Sequence, residues 1–480
     1  MLYKKSSAVV LIISLLATSL LAGCRKKDPV KAAPDFSGIE LTYYKVFDDT
    51  EIVEPAIRAY EAQHPGLKIH YRKFSDFDEY QRVILNEMAE GEGPDIFSMP
   101  NTWFTSNYRK LTPLPEKFGG VADFQSTFVD VAYRDLVRGD IYGDKRIYAL
   151  PMTVDNLALY YNKAHFEDAL PERGRPSTTW QGIKEDVALL NREDNTFDRF
   201  EVSGIAMGRA DNISRAVDIL YLLFLQHDLS FYDEKMTEAI FAAKQGGAAG
   251  SFPGLAALEL FVSFADPTRK HYSWNEFTAD DDTDGKEIEA FAEGKVSMII
   301  GFSYTYEQIE DYIDLLDQQG RNTIRKSDIR ATDIPQLYDP DLSAGERITY
   351  ASYFAETVSR NTEYPDIAWD FLLHMTSKEV LADYFDATHR PTSRRDMIEE
   401  QKLDPKYGVF ADQVGIAKSF PILEYYTYKD IFTDVINRAN LSGTHTSDLV
   451  YAQDLINELM PPGGVLAVEK RPEVDEKTDE

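Results

Sequence analysis

The sequence predicts an α/β fold built on a parallel sheet, and three observations carry that prediction. From Ile39 to Met99, β-prone segments alternate with segments of helical period. Hydrophobic residues make up 43% of the chain, which is enough for real cores. The 480 residues also suffice for roughly two or three domain-sized units.

The elements follow in order. Ile39 to Phe47 is mostly apolar or aromatic and reads as a strand. Val53, Ala56, Ile57 and Tyr60 share one helix face, and Pro55 fits that helix only in its first turn. Pro65-Gly66 ends it, and Leu67 to Tyr71 is a second strand. Ser75 with Asp78 has the form of a capping box. It opens a helix that buries Phe77, Tyr80, Ile84 and Met88 and stops at Gly91. Asp95 to Met99 is a third strand. Strand-helix-strand-helix-strand at this spacing means parallel, right-handed crossovers.

The later chain continues in the same style. Tyr148 to Met152 and Asn156 to Tyr161 read as strands, and Ala216 to Leu225 as a very apolar helix. Gln245 to Ser251 is a Gly/Ala-rich loop, and Pro253 starts a helix through Phe264. Ile288 to Glu293 is a short helix and Val296 to Gly301 a buried strand. Pro365 opens a helix burying Ile367, Ala368, Phe371, Leu372 and Met375. Leu449, Ala452, Ile456 and Leu459 mark the last helix, ended by Pro461-Pro462-Gly463-Gly464. Trp180 and Trp369 sit among apolar neighbours at helical spacing and read as core, whereas Trp274 fits either core or site. Residues 166–200 and 311–330 match no pattern.

The N-terminus carries a separate signal. Lys4 and Lys5 precede an apolar run from Ala8 to Leu21, too short for a comfortable membrane span, which reads as a signal-peptide core. Leu21-Ala22-Gly23-Cys24 follows, and it resembles the bacterial lipobox. That resemblance implies cleavage before Cys24 and lipid on its sulfur. Cys24 is the only cysteine, so an internal disulfide is impossible. Residues 1–23 hold two lysines and no acid, leaving 49 basic against 81 acidic residues beyond them. Such a surface repels phosphate backbones, so no nucleic-acid partner is expected. Residues 24–36 read as a tether and 463–480 as a disordered acidic tail.

No catalytic motif appears. H-E-x-x-H, a P-loop and G-x-S-x-G are all absent, and the histidines show no ligand spacing. Asp280 to Gly285 fits the first half of a calcium loop, but Phe291 stands where that loop needs a bidentate Glu. Neither a metal nor any other cofactor is expected.

Five stretches resemble one family. They are Glu54 to Glu61 with His64 to Ile69; Gly91 to Phe97; Tyr148 to Asp155 with Leu159 to Lys163; Phe291 to Met298 with Gly301 to Tyr304; and Val358 to Asn361 with Ala368 to Leu372. In this order they are similar to the extracellular solute-binding proteins of family 1, which serve bacterial ABC importers and mostly bind sugars. The resemblance implies a two-domain periplasmic-binding-protein-like fold, with discontinuous domains joined by a multi-strand hinge and ligand in the cleft between them. Crossings are expected near Met152, Thr349 and Ser393. One lobe is then 37–152 with 349–395, and the other 153–348 with 396–462.

The resemblance also implies the site. Asn101 and Trp103 follow the third strand, and Asp155 follows the hinge strand where the family often has an acidic contact. Asn212 precedes the apolar helix. Tyr304 stands where many relatives carry Trp, and Tyr353 follows the return strand. Arg390 lies in a segment that often lends a polar contact, and Tyr425 completes the ligand-binding set. The implied protein is a monomeric lipoprotein, tethered at the extracytoplasmic side of the cell membrane, with permease subunits as partners and a carbohydrate as ligand. It would not be an enzyme. Three rivals stand beside this reading: a lipid-anchored glycoside hydrolase, a receptor or adhesin that kept the fold and lost transport, and a binding protein for a polyamine or phosphorylated ligand.

Overall fold

The computed structural model describes residues 36–465 except 195–198, 248–249, 279–285, 340–344, 444 and 463. The expected signal peptide with Cys24, nearly all of the tether and of the acidic tail, and the calcium-like half-loop lie outside the described residues.

Strand β1 (Glu40–Val46) buries Leu41 and Tyr43 on its inner face. It runs into α1 (Thr50–Gln63), which turns Val53, Ile57 and Tyr60 inward. Pro55 lies in the second turn of α1, not the first, so the helix begins earlier than expected. β2 (Lys68–Phe74) pairs parallel with β1. α2 (Phe77–Glu90) is capped by Asp76, which accepts from the Glu79 N–H at 2.7 Å; the expected Ser75–Asp78 box is therefore displaced by one residue. Gly91, at φ +80°, ends α2 in the left-handed conformation that glycine adopts at little cost. β3 (Ile96–Pro100) is buried throughout and lies parallel on the other side of β1. It leads directly into α3 (Asn101–Asn107), and α4 (Asp130–Leu136) packs against α3.

The further strands that build the two main sheets and their junction are β4 (Ala149–Pro151), β5 (Ala158–Asn162), β6 (Met298–Gly301), β7 (Ile329–Thr332), β8 (Thr349–Tyr350), β9 (Phe354–Val358) and β10 (Ala417–Lys418). β9 inserts antiparallel between β3 and β4, giving one five-stranded sheet in the order β2-β1-β3-β9-β4. The parallel sheet expected from the sequence is thus parallel only over β1–β3. A second sheet has β5 at its centre, antiparallel to both β6 and β7. Around it lie α5 (Ala216–Gln226), α6 (Pro253–Val262) and α7 (Thr305–Gln318). α8 (Pro365–Met375) and α9 (Lys378–Thr388) return to the first sheet, and α10 (Tyr425–Ser442) and α11 (His445–Glu458) to the second.

Each sheet has its own hydrophobic core. The first includes Tyr43, Tyr80, Phe97, Trp369 and Phe371; the second includes Tyr160, Trp180, Tyr221, Trp274 and Phe432. Membership changes between Val154 and Leu157 and between Tyr350 and Ala351. It then alternates: Met397, Val414 and Ala417 join the first core, while Tyr407, Phe410 and Ile422 join the second. The segments without a sequence pattern fill the second lobe. They contain the helix Trp180–Leu190, the ribbon Arg192–Asp194 with Arg199–Val202, the end of α7 and the edge strand β7. Val465 donates its N–H to the Met236 carbonyl at 3.0 Å, so packing reaches into the expected tail.

Candidate ligand cleft

Parallel strands point their carboxyl ends one way, and in open α/β sheets the ligand space lies beyond those ends. Here the ends of β1 and β3, the start of β9 and the end of β6 all meet the segments that join the two cores. Backbone bridges of Thr153 with Thr392 and of Asn156 with Ala351 knit those segments together, as does the pairing of β8 with β10.

Asp155 lies on the first crossing and is 6% exposed. Its carboxylate accepts from the Ser303 hydroxyl at 2.7 Å, from the Ser303 N–H at 3.1 Å and 3.2 Å, and from the Asn156 N–H at 2.8 Å. Burial pushes this carboxyl up to about 6, against those bonds and the nearby Arg390 charge. The hinge hydrogen bond that rivals a ligand role for Asp155 is therefore present.

Ser303 precedes Tyr304, the residue that opens α7. The half-buried Tyr304 ring stacks on Phe302 at 5.8 Å and takes the Arg215 guanidinium at 5.5 Å from its centroid. Arg215 pairs with Asp218 at 3.5 Å, one turn along α5. Burial raises the Asp218 carboxyl above its ordinary value, while Arg215 and Lys429 pull it back. Tyr304 also senses the charges of Asp155 and Arg390, which belong to the hinge and the first lobe. Tyr425 heads α10 and packs against both cores. Its neighbour Tyr426 lies 6.3 Å from the Phe77 ring and donates its hydroxyl to Asp78, joining the N-termini of α10 and α2.

Arg390 belongs to a cluster of charges in the first lobe. Its Nη1 donates to Asp48 at 2.5 Å and to the Tyr384 hydroxyl at 2.9 Å. Tyr384 in turn donates to Asp48 at 2.6 Å. Lys45 lies 3.3 Å from Asp48 and pairs with Glu356, which also accepts from Ser98 at 2.8 Å. Lys45 is buried although it stands in a strand, because Glu356 on β9 and Asp48 supply its counter-charge. Burial raises the Asp48 carboxyl, but Lys45 and Arg390 outweigh it and hold the group below its ordinary value. Phe47, between Lys45 and α1, has φ +71°, is 47% exposed and faces Phe354 at 6.2 Å. A bulky residue held left-handed at a strand end costs about 1–2 kcal/mol.

The other sequence candidates turn inward. Asn101 donates to Asp135 at 3.2 Å and Tyr353 donates to the same carboxylate oxygen at 2.9 Å, while Ser419 reaches the other oxygen at 2.6 Å. These form an internal network that ties α3 and α4 to the strand β10 segment. Asn212 accepts from the Trp274 indole at 2.8 Å and donates to the Asn275 carbonyl at 2.9 Å, so its amide is committed inside the second lobe and Trp274 is core. Trp103 is 7% exposed and packs on Phe77 at 5.2 Å. It lines a groove of about 320 Å³ on the flank of the first lobe, with Ile84, Met88 and Phe97. Of the eight candidates, Asp155, Tyr304, Arg390 and Tyr425 are thus brought together at the junction.

Sequence reasoning missed Asp48, Phe47, Arg215, Asp218 and Tyr426. A signal existed for three of them: Asp218 interrupts the apolar run of α5, and Arg215 stands three residues before it. An acid inside an apolar helix needs a buried partner. Tyr426 lies in the aromatic run Tyr425-Tyr426-Thr427-Tyr428, which also pointed here.

Residues 55–409 match the sequence profile of the family described as bacterial extracellular solute-binding protein. The galactooligosaccharide-binding protein of Bacillus subtilis is 24% identical over 175 residues, 36% of this chain; the match spans only 38% of that relative's length. Among solved structures, the sugar-binding protein MalE from Xanthomonas citri superposes with a TM-score of 0.68 at 15% identity, covering 88% of this chain and 97% of the other. An ABC substrate-binding protein from Listeria monocytogenes in complex with cycloalternan gives 0.64 at 17% identity, with 88% and 98% covered. These structural likenesses establish the two-domain α/β fold.

Proposed function

Because the chain belongs to the bacterial extracellular solute-binding proteins, we propose that it captures a saccharide between its two lobes and hands it to the permease of an ABC importer. The observation that carries this reading is Tyr304. It is a half-buried ring on a turn fixed to the hinge by Asp155, within the electrostatic reach of charged groups from both lobes. An aromatic face covers the C–H face of a sugar ring, and the guanidinium donors beside it suit hydroxyl oxygens. Tyr425, Arg390, Asp155 and Phe47 complete the proposed contact set. The sugar ligands of relatives support the ligand class.

The lobes are proposed as 37–152 with 349–395 and 153–348 with 396–462, the last segment also packing Met397, Val414 and Ala417 against the first core, and the protein as acting as a monomer. Lipid on Cys24 is proposed to hold the protein at the outer side of the cell membrane. A Cys24→Ala chain should then leave the membrane fraction for the soluble one. Hydrolysis is the weaker reading. Asp155 has the raised carboxyl that an acid catalyst needs, but both its oxygens already accept bonds from Ser303 or Asn156.

The test is thermal-shift screening of the purified protein against saccharides, polyamines and sugar phosphates. A ligand at about 100 times its Kd should stabilise the fold by roughly 2.7 kcal/mol. A saccharide that shifts wild type but not Tyr304→Ala supports the reading. A response to polyamines alone contradicts it.

A further inference from the structure

The charged groups at the junction are not equivalent in what they leave available. Three of the carboxylates are answered from inside the protein. Asp155 accepts from Ser303 and Asn156. Asp48 accepts from Arg390 and Tyr384 and lies beside Lys45. Asp218 is paired with Arg215. The two guanidinium groups are only partly answered. Arg390 donates from Nη1 alone, and Arg215 meets Asp218 through Nη1 at 3.5 Å while its face lies over Tyr304 and Phe302. Their Nε and Nη2 donors meet no acceptor among the described residues.

Both arginines are also accessible. A third of the Arg215 side chain and 30% of the Arg390 side chain touch solvent. The two come from opposite sides of the junction, Arg215 from the start of α5 and Arg390 from the segment after α9. The Arg215 guanidinium lies 5.5 Å from the Tyr304 ring, whose neighbour Ser303 is bonded to Asp155, and on the other side of Asp155 Val154 donates its N–H to the carbonyl of Pro391, next to Arg390, at 3.1 Å. A planar guanidinium with an unanswered fork matches a carboxylate or phosphate better than it matches a hydroxyl.

Resting on the reading of the cleft as a saccharide site, we propose that its ligand is an anionic saccharide, whose carboxylate or phosphate is held between Arg215 and Arg390. The anion would supply acceptors to donors from both lobes and so favour their approach. Polyamines fit this arrangement less well, because the carboxylates of Asp155, Asp48 and Asp218 are already engaged by the protein.

The experiment is calorimetric titration of the purified protein with matched pairs: neutral oligosaccharides of two to four sugars, their uronate counterparts and their phosphate esters. Each is repeated with Arg215→Gln and Arg390→Gln. The expected result is that an acidic member binds at least tenfold tighter than its neutral partner. Either substitution should weaken the acidic ligand at least tenfold more than it weakens the neutral one, and raised salt should act in the same direction. The uronate and phosphate arms distinguish the two anions. A neutral member that binds as tightly as its acidic partner, or substitutions that weaken both alike, overturns the proposal while leaving saccharide capture intact. If no saccharide binds, acidic or neutral, the capture reading fails and this proposal with it.

Discussion

Ser303 holds Asp155 from two atoms, its backbone N–H at 3.1 Å and its hydroxyl at 2.7 Å. The turn that carries Tyr304 is thereby fixed to the segment on which the chain passes from one core to the other. Any ligand resting on Tyr304 presses on the hinge through this pair.

The pair makes stability depend on pH. Burial pushes the Asp155 carboxyl up to about 6 from an ordinary value of 3.8. Between those values the folded chain binds more protons than the unfolded chain, so this group's contribution falls as pH rises through that window. A shift of about 2 units corresponds to roughly 3 kcal/mol. Asp155→Asn should gain on wild type by that order between about pH 4 and pH 6 in urea titrations. A flat difference between the two profiles would show that the carboxyl is not raised.

Trp103 and Tyr304 should separate stability from binding. Trp103 is packed on Phe77 and nearly buried, whereas Tyr304 is half-buried over Arg215. Trp103→Ala should lower stability by about 3 kcal/mol or more, while a refolded sample keeps ligand affinity within about threefold. Tyr304→Ala should do the reverse, costing about 1 kcal/mol of stability and tenfold or more in affinity. Chemical unfolding and calorimetry on the two variants decide it.

Lys45 and Glu356 form a buried pair whose halves should fail separately. Lys45→Met leaves the Glu356 carboxylate, 0% exposed, without its cation. The expected loss is about 3–5 kcal/mol. Adding Glu356→Leu should restore more than half of it, because the uncompensated charge is gone. Additive losses in the double-mutant cycle would contradict the pairing.

Tyr426 and Asp78 join α10 to α2 across the mouth of the junction. The contact is partly exposed, so its loss in Tyr426→Phe should cost only about 1 kcal/mol. That should appear as roughly fivefold weaker ligand affinity with unchanged Tm. An affinity equal to wild type would show that this hydrogen bond does not stabilise the approach of the lobes.

The framework was legible where the signal is local. The alternation of strand and helix periods fixes β1 to β3 because each element is read within its own window. Pro55 misplaces the start of α1 by about a turn and Ser75 that of α2 by one residue, since caps depend on geometry finer than residue type. The antiparallel β9 was not legible as such, because its neighbours β3 and β4 lie far away in sequence. The site divides the same way. Tyr304 follows a recognisable Gly301 strand end, so its position was readable. That Asp135 and Trp274 engage the polar atoms of Asn101, Tyr353 and Asn212 was not legible, because those partners are remote in sequence. Lys45 and Asp48 stayed invisible for that reason too, with Glu356 and Arg390 as partners more than 300 residues on.

The central claim is that ligand is gripped by both lobes at the Tyr304 junction. Hydrogen–deuterium exchange of the purified protein, with and without a saturating saccharide, tests it most directly. The account predicts slowed exchange on both sides at once: around Phe47 and Arg390 in the first lobe, and around Arg215, Ser303 and Tyr304 in the second. Protection confined to one lobe, or to the flank groove beside Trp103, would contradict it.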